Sequence, residues 1–182
     1  MMPSKPSNKY GVFAALFALV VIGLLIIQSS AGKPGTGPVN QAPIGWEIFS
    51  DTTRKISFNY PRELGTKYLH PMDWPPMVQI LNTPISCTEA GTETSRAGET
   101  SLDSINGRQY CVTKVTEGAA GSIYTQYAYA FAKSGKVAIL TFSLHFVQCQ
   151  NYEDPQKTEC ITERNVFNID QIIDQIAQTL KF

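Results

Sequence analysis

The chain has 182 residues, which is room for one domain and an export segment, and its composition is that of a globular protein, 43% hydrophobic and 16% charged. Its 15 basic and 15 acidic residues give a formal net charge of zero. This balance lacks the electrostatic footprint of a nucleic-acid-binding protein, so we predict no nucleic-acid partner, and it argues against a polybasic membrane-surface protein.

The first predicted element is a hydrophobic segment within residues 1–31. Residues 11–27 form an uncharged, apolar run, and Lys5 and Lys9 precede it. Because positive flanks stay in the cytoplasm, the predicted topology has the N-terminus inside and the rest of the chain outside the cytoplasm. The run is at the lower limit of a membrane span and longer than a usual signal peptide. We predict a single-pass anchor in the cell membrane, with a cleaved signal and a secreted domain as the alternative.

A Gly/Pro-rich linker at residues 32–45 follows, and the predicted extracytoplasmic domain occupies residues 46–182. A short strand is expected near Trp46 and Ile48, and a second over residues 56–60, where polar and apolar residues alternate up to Pro61. Residues 77–81 indicate a third strand. The polar stretch 88–103 is predicted to be a long exposed loop.

The clearest strand signal is a hairpin near the middle of the domain. Residues 123–131 and 137–147 alternate in polarity, and residues 133–136 are typical of a turn. Asn106 and Gly107 predict another turn, followed by a strand. These patterns favour an antiparallel sheet.

The chain ends with a predicted amphipathic helix. Asn168 is a suitable N-cap with Gln171 three residues later, and Phe167 and Ile172 occupy the positions of a hydrophobic staple. Apolar residues recur at helical spacing along one face: Ile169, Ile172, Ile173, Ile176 and Leu180. Because such a stripe has to pack on the sheet, the predicted fold class is α+β, an antiparallel β-sheet packed with helices.

The order of these elements resembles that of PsbP/Mog1-like domains. The segments 46–49 (WEIF) and 56–61 (ISFNYP) resemble the opening of such domains, and 105–108 (INGR), the hairpin and the closing 176–182 (IAQTLKF) fit the same layout. The resemblance covers roughly residues 46–182. It implies an α/β/α sandwich and mostly non-enzymatic, extracytoplasmic or scaffold roles, and it supplies no catalytic residues. The four cysteines are not part of the pattern.

Candidate chemical groups are few, and each has an ordinary structural interpretation. The two histidines, His70 and His145, are catalytic or metal-binding candidates, but solvated side chains are the favoured interpretation. Tyr124, Tyr127 and Tyr129 are either a sugar- or peptide-binding surface or, by preference, core and cross-strand packing. Four acids suggest either a cation site or, by preference, a solvated loop: Glu153, Asp154, Glu159 and Glu163. We predict no catalytic, cofactor-binding or metal-binding residue and no cofactor.

The four cysteines are more informative, because an even number outside the cytoplasm favours disulfides over free thiols. Three pairings are possible. We predict Cys149–Cys160, which closes a polar turn before the final helix, and Cys87–Cys111, which spans the polar stretch 88–103. The alternative is that one pair is free and buried.

These features favour a non-catalytic, membrane-tethered extracytoplasmic module that binds a protein or a cell-envelope component. No nucleophile-elbow, P-loop or dinucleotide-binding motif occurs, so we predict that the protein is not an enzyme. Two alternatives remain: an envelope hydrolase or other enzyme of unrecognised type, and a purely structural accessory subunit.

Overall fold

The computed structural model describes Pro43 and residues 45–91 and 98–182. These residues form eight strands: β1 (Trp46–Asp51), β2 (Ile56–Pro61), β3 (Leu69–Pro71), β4 (Met77–Leu81), β5 (Glu99–Ile105), β6 (Arg108–Ala119), β7 (Ser122–Lys133) and β8 (Lys136–Val147). A 3-10 turn at Cys149–Asn151 leads to two helices, α1 (Gln156–Val166) and α2 (Ile169–Thr179).

The main sheet has six strands, all antiparallel to their neighbours. Its order is β3-β8-β7-β6-β5, and β4 pairs with β8 beside β3. β1 and β2 form a separate antiparallel hairpin. The α+β class with an antiparallel sheet is therefore confirmed.

Tight two-residue turns set the register of the long strands, and one of them, at Ala120 (φ 48°) and Gly121 (φ 76°), joins β6 to β7 and was not predicted. Two others were predicted. Ser134 (φ 52°) and Gly135 (φ 74°) join β7 to β8, and Asn106 (φ 49°) and Gly107 (φ 82°) join β5 to β6. Two consecutive residues with positive φ match the right-handed twist of a hairpin, and Asn-Gly favours that conformation. Both turns are where the sequence predicts them.

One face of the main sheet carries the core. α2 begins as predicted, because the Asn168 side chain accepts a hydrogen bond from the Gln171 backbone amide (3.1 Å). Its apolar stripe packs among the aromatic side chains of β6, β7 and β8, and the β1–β2 hairpin packs beside it. The largest fully buried side chains of this core include Phe58, Tyr110, Tyr129, Phe131, Leu140, Leu144, Ile173 and Ile176.

Both helices lie on the side of this core face. Ile173 and Ile176 of α2 pack with Tyr129, and Arg164 of α1 lies over the ring of Phe146, which belongs to the same cluster. In the part of the chain that the structure describes, no helix packs on the second face of the sheet. The second helical layer that an α/β/α sandwich requires is therefore not among the described residues.

The polar stretch 88–103 includes part of a strand, because residues 99–105 form β5. Glu99–Ile105 lacks the apolar alternation of a buried strand, and Leu102 on the second face is 49% exposed. Pairing with β6 over seven residues, rather than burial, holds this strand in place. Binary patterning is weak where both faces of a strand are partly solvated, so the prediction of a loop there was wrong.

Two other elements did not follow from the sequence. Leu69–Pro71, where no strand was predicted, forms the short strand β3 against β8. The acidic stretch after Cys149, predicted to be a turn and loop, contains α1. α1 buries one residue, Cys160, so it has almost no apolar periodicity for sequence analysis to detect.

The predicted N-terminal segment and most of the linker lie outside the described residues. Within the described residues, no helix combines the length and hydropathy needed to cross a membrane.

Candidate binding groove along the free edge of the sheet

The two long edges of the main sheet are finished differently. At the β5 edge, Ala90 exchanges two backbone hydrogen bonds with Thr100 (3.1 and 2.8 Å), and Glu89 Oε1 accepts from the Leu102 amide (3.1 Å). The Cys87–Cys111 disulfide attaches this covering segment to β6. Residues 87–90 thus satisfy the backbone of Thr100 and the amide of Leu102 at the β5 edge.

The opposite edge is formed by β3 and β4, and of the elements that the structure describes only β8 pairs with β4. β4 reads MVQIL and contains no charged residue and no proline. Its Met77 side chain is 69% exposed. Natural sheets usually protect such an edge with charges, proline, a bulge or a covering segment, so a bare and uncharged edge is typical of a site that pairs with another strand.

The β1–β2 turn sets the position of the cations near this edge. Asp51 Oδ1 accepts hydrogen bonds from the amides of Thr53 (2.9 Å) and Arg54 (3.0 Å), which closes the turn. The Asp51 carboxylate also pairs with Arg54 Nε at 3.6 Å. Lys55 follows in a left-handed conformation (φ 58°) and leads directly into β2. The turn therefore holds Arg54 and Lys55 beside β4.

The segment that leads into β4 is anchored in the core. Trp74 donates from Nε1 to the carbonyl oxygen of Pro61 (2.8 Å), and its ring packs edge-on against Phe142 (5.7 Å between centroids) and Tyr60 (6.5 Å). Pro75 and Pro76 follow and have no amide hydrogen to donate. β4 consequently starts from a fixed position against both the hairpin and the sheet.

A groove lies between β4 and the β1–β2 hairpin, and we call it the edge groove. Its larger part has a volume of about 670 Å³ and its smaller part about 200 Å³. Arg54, Ile56 and Val78 line both parts, so the two are continuous. The other lining residues are Phe49, Asp51, Lys55, Pro75, Pro76, Met77, Gln79, Ile80, Lys136 and Phe182.

The edge groove combines an apolar floor with a positive rim. Ile56 and Val78 are buried, with Phe49, Ile80 and Phe182 partly buried around them. The lining contains three basic side chains, Arg54, Lys55 and Lys136, and one acid, Asp51. Lys136 also lies 5.9 Å from the centre of the Phe182 ring. The groove can therefore take apolar side chains on its floor and negative charges along its rim.

A buried carboxylate on α2 has a structural role away from the groove. Asp174 is 1% exposed and accepts hydrogen bonds from Tyr110 Oη (2.7 Å), Asn106 Nδ2 (3.0 Å), Gln178 Nε2 (2.8 Å) and Arg108 Nη1 (3.3 Å). Burial alone would raise the pKa of Asp174, but the three neutral donors and the Arg108 charge outweigh it and hold that pKa below its usual range.

Both oxygens of Asp174 are thus occupied, and the network joins α2 to the β5–β6 turn. Tyr129 makes a similar link by donating to Asp170 at 2.5 Å. Burial and then this hydrogen bond raise the pKa of Tyr129 well above its usual range, so the tyrosine stays protonated and remains a donor.

The structure has the two disulfides whose pairing the sequence predicts. Cys87 pairs with Cys111, and Cys149 pairs with Cys160. The second bridge joins the end of β8 to α1 and packs with Tyr68 and Tyr152. Two disulfides fit an oxidising compartment outside the cytoplasm.

The four candidate acids do not gather around one point. Glu159 bonds Lys67 (2.7 Å) and Tyr68 Oη (3.1 Å), and Glu163 accepts from the Tyr68 amide (2.8 Å), so these two acids attach α1 to the segment before β3. Asp154 instead accepts from Thr158 on the first turn of α1. Among the residues described, no group of three or more metal-binding side chains was found.

The tyrosines are divided between the two faces. Tyr127 and Tyr129 lie on the core face, where Tyr127 stacks on Phe142 at 5.0 Å, while Tyr124 lies on the second face. Burial raises the pKa of Tyr127 to about 12. Because they lie on opposite faces of the sheet, the three tyrosines do not form one binding surface. The two histidines, in contrast, meet on the second face.

No protein-family model matches the chain, and neither the curated proteins nor the solved structures include a match. Function is therefore inferred from the geometry of the described residues. The sequence predicts β4 itself but not the edge groove beside it. The available signal was the uncharged run 77–81 after two prolines, which becomes meaningful only once the strand is known to lie at an edge.

Proposed function

We propose that this protein is a non-catalytic, membrane-tethered extracytoplasmic module that binds an extended polypeptide segment along β4. The observation that carries the proposal is a bare, uncharged edge strand beside an apolar groove. An incoming strand pairs its backbone with the free side of β4 and so extends the six-stranded sheet. In this mode, backbone hydrogen bonds supply affinity and alternate side chains supply specificity.

The floor of the edge groove selects for apolar residues at every second position of the bound segment. Side chains of a strand alternate between faces, so those that point toward Ile56 and Val78 are buried on binding. Each fully buried Val- or Leu-sized side chain contributes roughly 1.5–3 kcal/mol before the cost of ordering the segment.

The rim of the groove selects for acidic residues at the intervening positions. The rim carries three basic side chains, Arg54, Lys55 and Lys136, and one acid, Asp51, which pairs with Arg54, so its net charge is positive. These side chains are exposed, so salt screens the attraction over a distance of about 8–10 Å at moderate ionic strength. The rim therefore contributes more to the choice of partner and to the rate of association than to total affinity.

The setting outside the cytoplasm is part of the same proposal. It is supported by Lys5 and Lys9 before an uncharged run, by the linker at 32–45 and by the two disulfides. A module tethered through this Gly/Pro-rich linker would meet partners in the cell envelope or exported chains near the membrane.

The relation to PsbP/Mog1-like domains, with their α/β/α sandwich, is also proposed. A short opening hairpin, a meander of long strands and a closing helix support it. The mostly non-enzymatic roles that this resemblance implies agree with a binding module.

Binding of a defined peptide tests the proposal. The probe is a ten-residue peptide that alternates valine and glutamate, compared with one that alternates valine and lysine, on the full-length chain in detergent. The Val/Glu peptide should bind at least tenfold more tightly, a difference of about 1.4 kcal/mol. The combined change Arg54→Glu and Lys136→Glu should abolish that preference.

Lys157→Glu is the matched control, because Lys157 is exposed on α1 and does not line the groove. This variant should keep the preference of the natural protein. Equal binding of the two peptides, or an unchanged preference after the double reversal, would rule out the edge groove as the site.

A further inference from the structure

The two histidines of the chain, 75 positions apart in sequence, lie side by side in the fold. His70 on β3 and His145 on β8 are directly opposite each other in the antiparallel register. Their ring centroids are 5.5 Å apart. Both project from the second face of the sheet, where His70 is exposed and His145 is half-buried.

This separation fits two imidazoles that share a metal ion. With metal–nitrogen bonds of about 2.0–2.1 Å and tetrahedral or wider angles, two coordinated rings have centres roughly 5–6 Å apart. Opposite positions of an antiparallel pair hold their Cβ atoms about 4.5–5.5 Å apart, so the backbone already fixes the roots of both side chains. The two ring planes differ by 30°, so a chelate needs rotation of the exposed His70 side chain toward the ring of His145.

His145 is oriented by its neighbours. Its Nε2 lies 2.8 Å from Ser122 Oγ, and the ring of Tyr124 stacks on it at 4.9 Å with an interplanar angle of 17°. When Nε2–H donates to the serine oxygen, Nδ1 keeps its lone pair for a metal ion. Ser122 then acts as the outer hydrogen-bond partner that metal-binding histidines ordinarily have.

We propose that His70 and His145 form a binding site for a divalent transition metal ion, with water in the remaining coordination positions. Two imidazole nitrogens suit Cu(II), Ni(II) and Zn(II), and Cu(II) binds most tightly in the usual order of affinities. They do not suit Ca(II) or Mg(II), which take oxygen ligands. The site lies on the second face and is independent of the edge groove.

Titration with Cu(II) tests the proposal on the full-length chain in detergent, by calorimetry and by electron paramagnetic resonance. One ion should bind with nitrogen superhyperfine splitting, and Mg(II) should not compete. His70→Ala and His145→Ala should each weaken binding at least tenfold, because each leaves a single imidazole. His70→Gln keeps a polar side chain of similar reach and should have the same effect.

Ser122→Ala should weaken Cu(II) binding less than either histidine change, because it removes an orienting contact and no ligand. Thermal unfolding without metal should be nearly the same for the natural protein and the His70 variants, since His70 is exposed. Unchanged Cu(II) affinity in the double His70→Ala/His145→Ala variant would overturn the proposal and assign the ion to another site, such as the amino terminus. Absence of Cu(II) binding by the natural protein would also overturn it.

Discussion

The two long edges of the sheet differ in how their backbone groups are used. At β5, residues 87–90 satisfy the Thr100 backbone and the Leu102 amide, and a disulfide holds that segment in place. At β4, no described element forms a second ladder, and the neighbouring surface is apolar with a positive rim. One edge is closed within the chain, and the other has the properties of an interface.

This difference indicates that the open edge is not a general weakness of the sheet. The same chain covers β5 with a disulfide-linked segment, and natural sheets usually protect their edges. An exposed β4 therefore indicates a function for this edge. Pairing with a partner strand is such a function. One side of β4 helps to hold the domain together, because it pairs with β8 and Val78 belongs to the core, whereas its other side is free to form an interface.

The largest expected effect is the loss of folding stability when the core that both edges share is disrupted. Ile176 is 0% exposed and packs between α2 and the sheet, so Ile176→Ala should lower the free energy of unfolding by about 2–5 kcal/mol. Urea unfolding measures this change. Hydrogen exchange should accelerate at both edges together. A loss below about 0.5 kcal/mol would mean that the α2 stripe faces solvent.

Removal of the Cys87–Cys111 disulfide should release the segment 87–90 from β5 and leave both edges of the sheet open. The bridge closes a loop with a sequence separation of 24, so the pair Cys87→Ser and Cys111→Ser should cost roughly 3–4 kcal/mol in the chain-entropy model. The amides of Thr100 and Leu102 should then lose protection from hydrogen exchange, while β4 amides change only as global stability changes. Retained protection at Thr100 and Leu102 would show that the disulfide does not hold the cover.

Asp174→Asn tests the hydrogen-bond network that joins α2 to the β5–β6 turn. The new amide group would place its N–H donors against the N–H and O–H donors that now bond the carboxylate, and Arg108 would lose its ion pair. The free energy of unfolding at pH 7 should therefore fall by about 1–3 kcal/mol. The pKa of Asp174 is lower in the folded than in the unfolded protein. Its contribution to folding stability is therefore complete above the unfolded pKa of about 4 and is lost as pH falls through the folded pKa.

The stability gap between the natural protein and Asp174→Asn should therefore narrow below about pH 4. Urea unfolding at pH 7 and at pH 3 measures the gap. A gap of the same size at both values would mean that the charge of Asp174 is not what the network stabilises.

The smallest effect on stability is expected at β4 itself. Gln79 is exposed and lines the edge groove, so Gln79→Glu should change the free energy of unfolding by no more than about 0.5 kcal/mol. Binding of the Val/Glu peptide should nevertheless weaken severalfold, because the new carboxylate repels it. Gln156→Glu, at an exposed position on α1, is the control and should leave binding unchanged.

Sequence patterns predicted the elements that bury a regular stripe. The β7–β8 hairpin and α2 follow from alternation and from the Asn168 cap. Of the three possible cysteine pairings, the one preferred because its bridges close a polar turn and a polar stretch is the one in the structure. β5 and α1 were missed because neighbours hold them: β5 by its ladder with β6, and α1 by Cys160 and the contacts of Glu159 and Glu163.

The candidate sites depend on distances that a sequence does not carry. His70 and His145 meet because β3 pairs with the far half of β8, and a strand of three residues leaves almost no pattern. In the same way, Arg54 and Lys136 reach one groove from turns 82 positions apart. Such convergence becomes visible only after the sheet order is known.

Amide hydrogen exchange of the full-length chain, with and without the Val/Glu peptide, tests the central claim most directly. In a strand with one partner, about half of the amides point away from it, and those of β4 should become protected when the peptide pairs with them. The amides of Thr100 and Leu102, already bonded within the chain, should not change. Slower exchange within residues 77–81 alone is the predicted result. Unchanged exchange at β4 in the presence of saturating peptide, or equal slowing at both edges, would contradict the assignment of β4 as the binding edge.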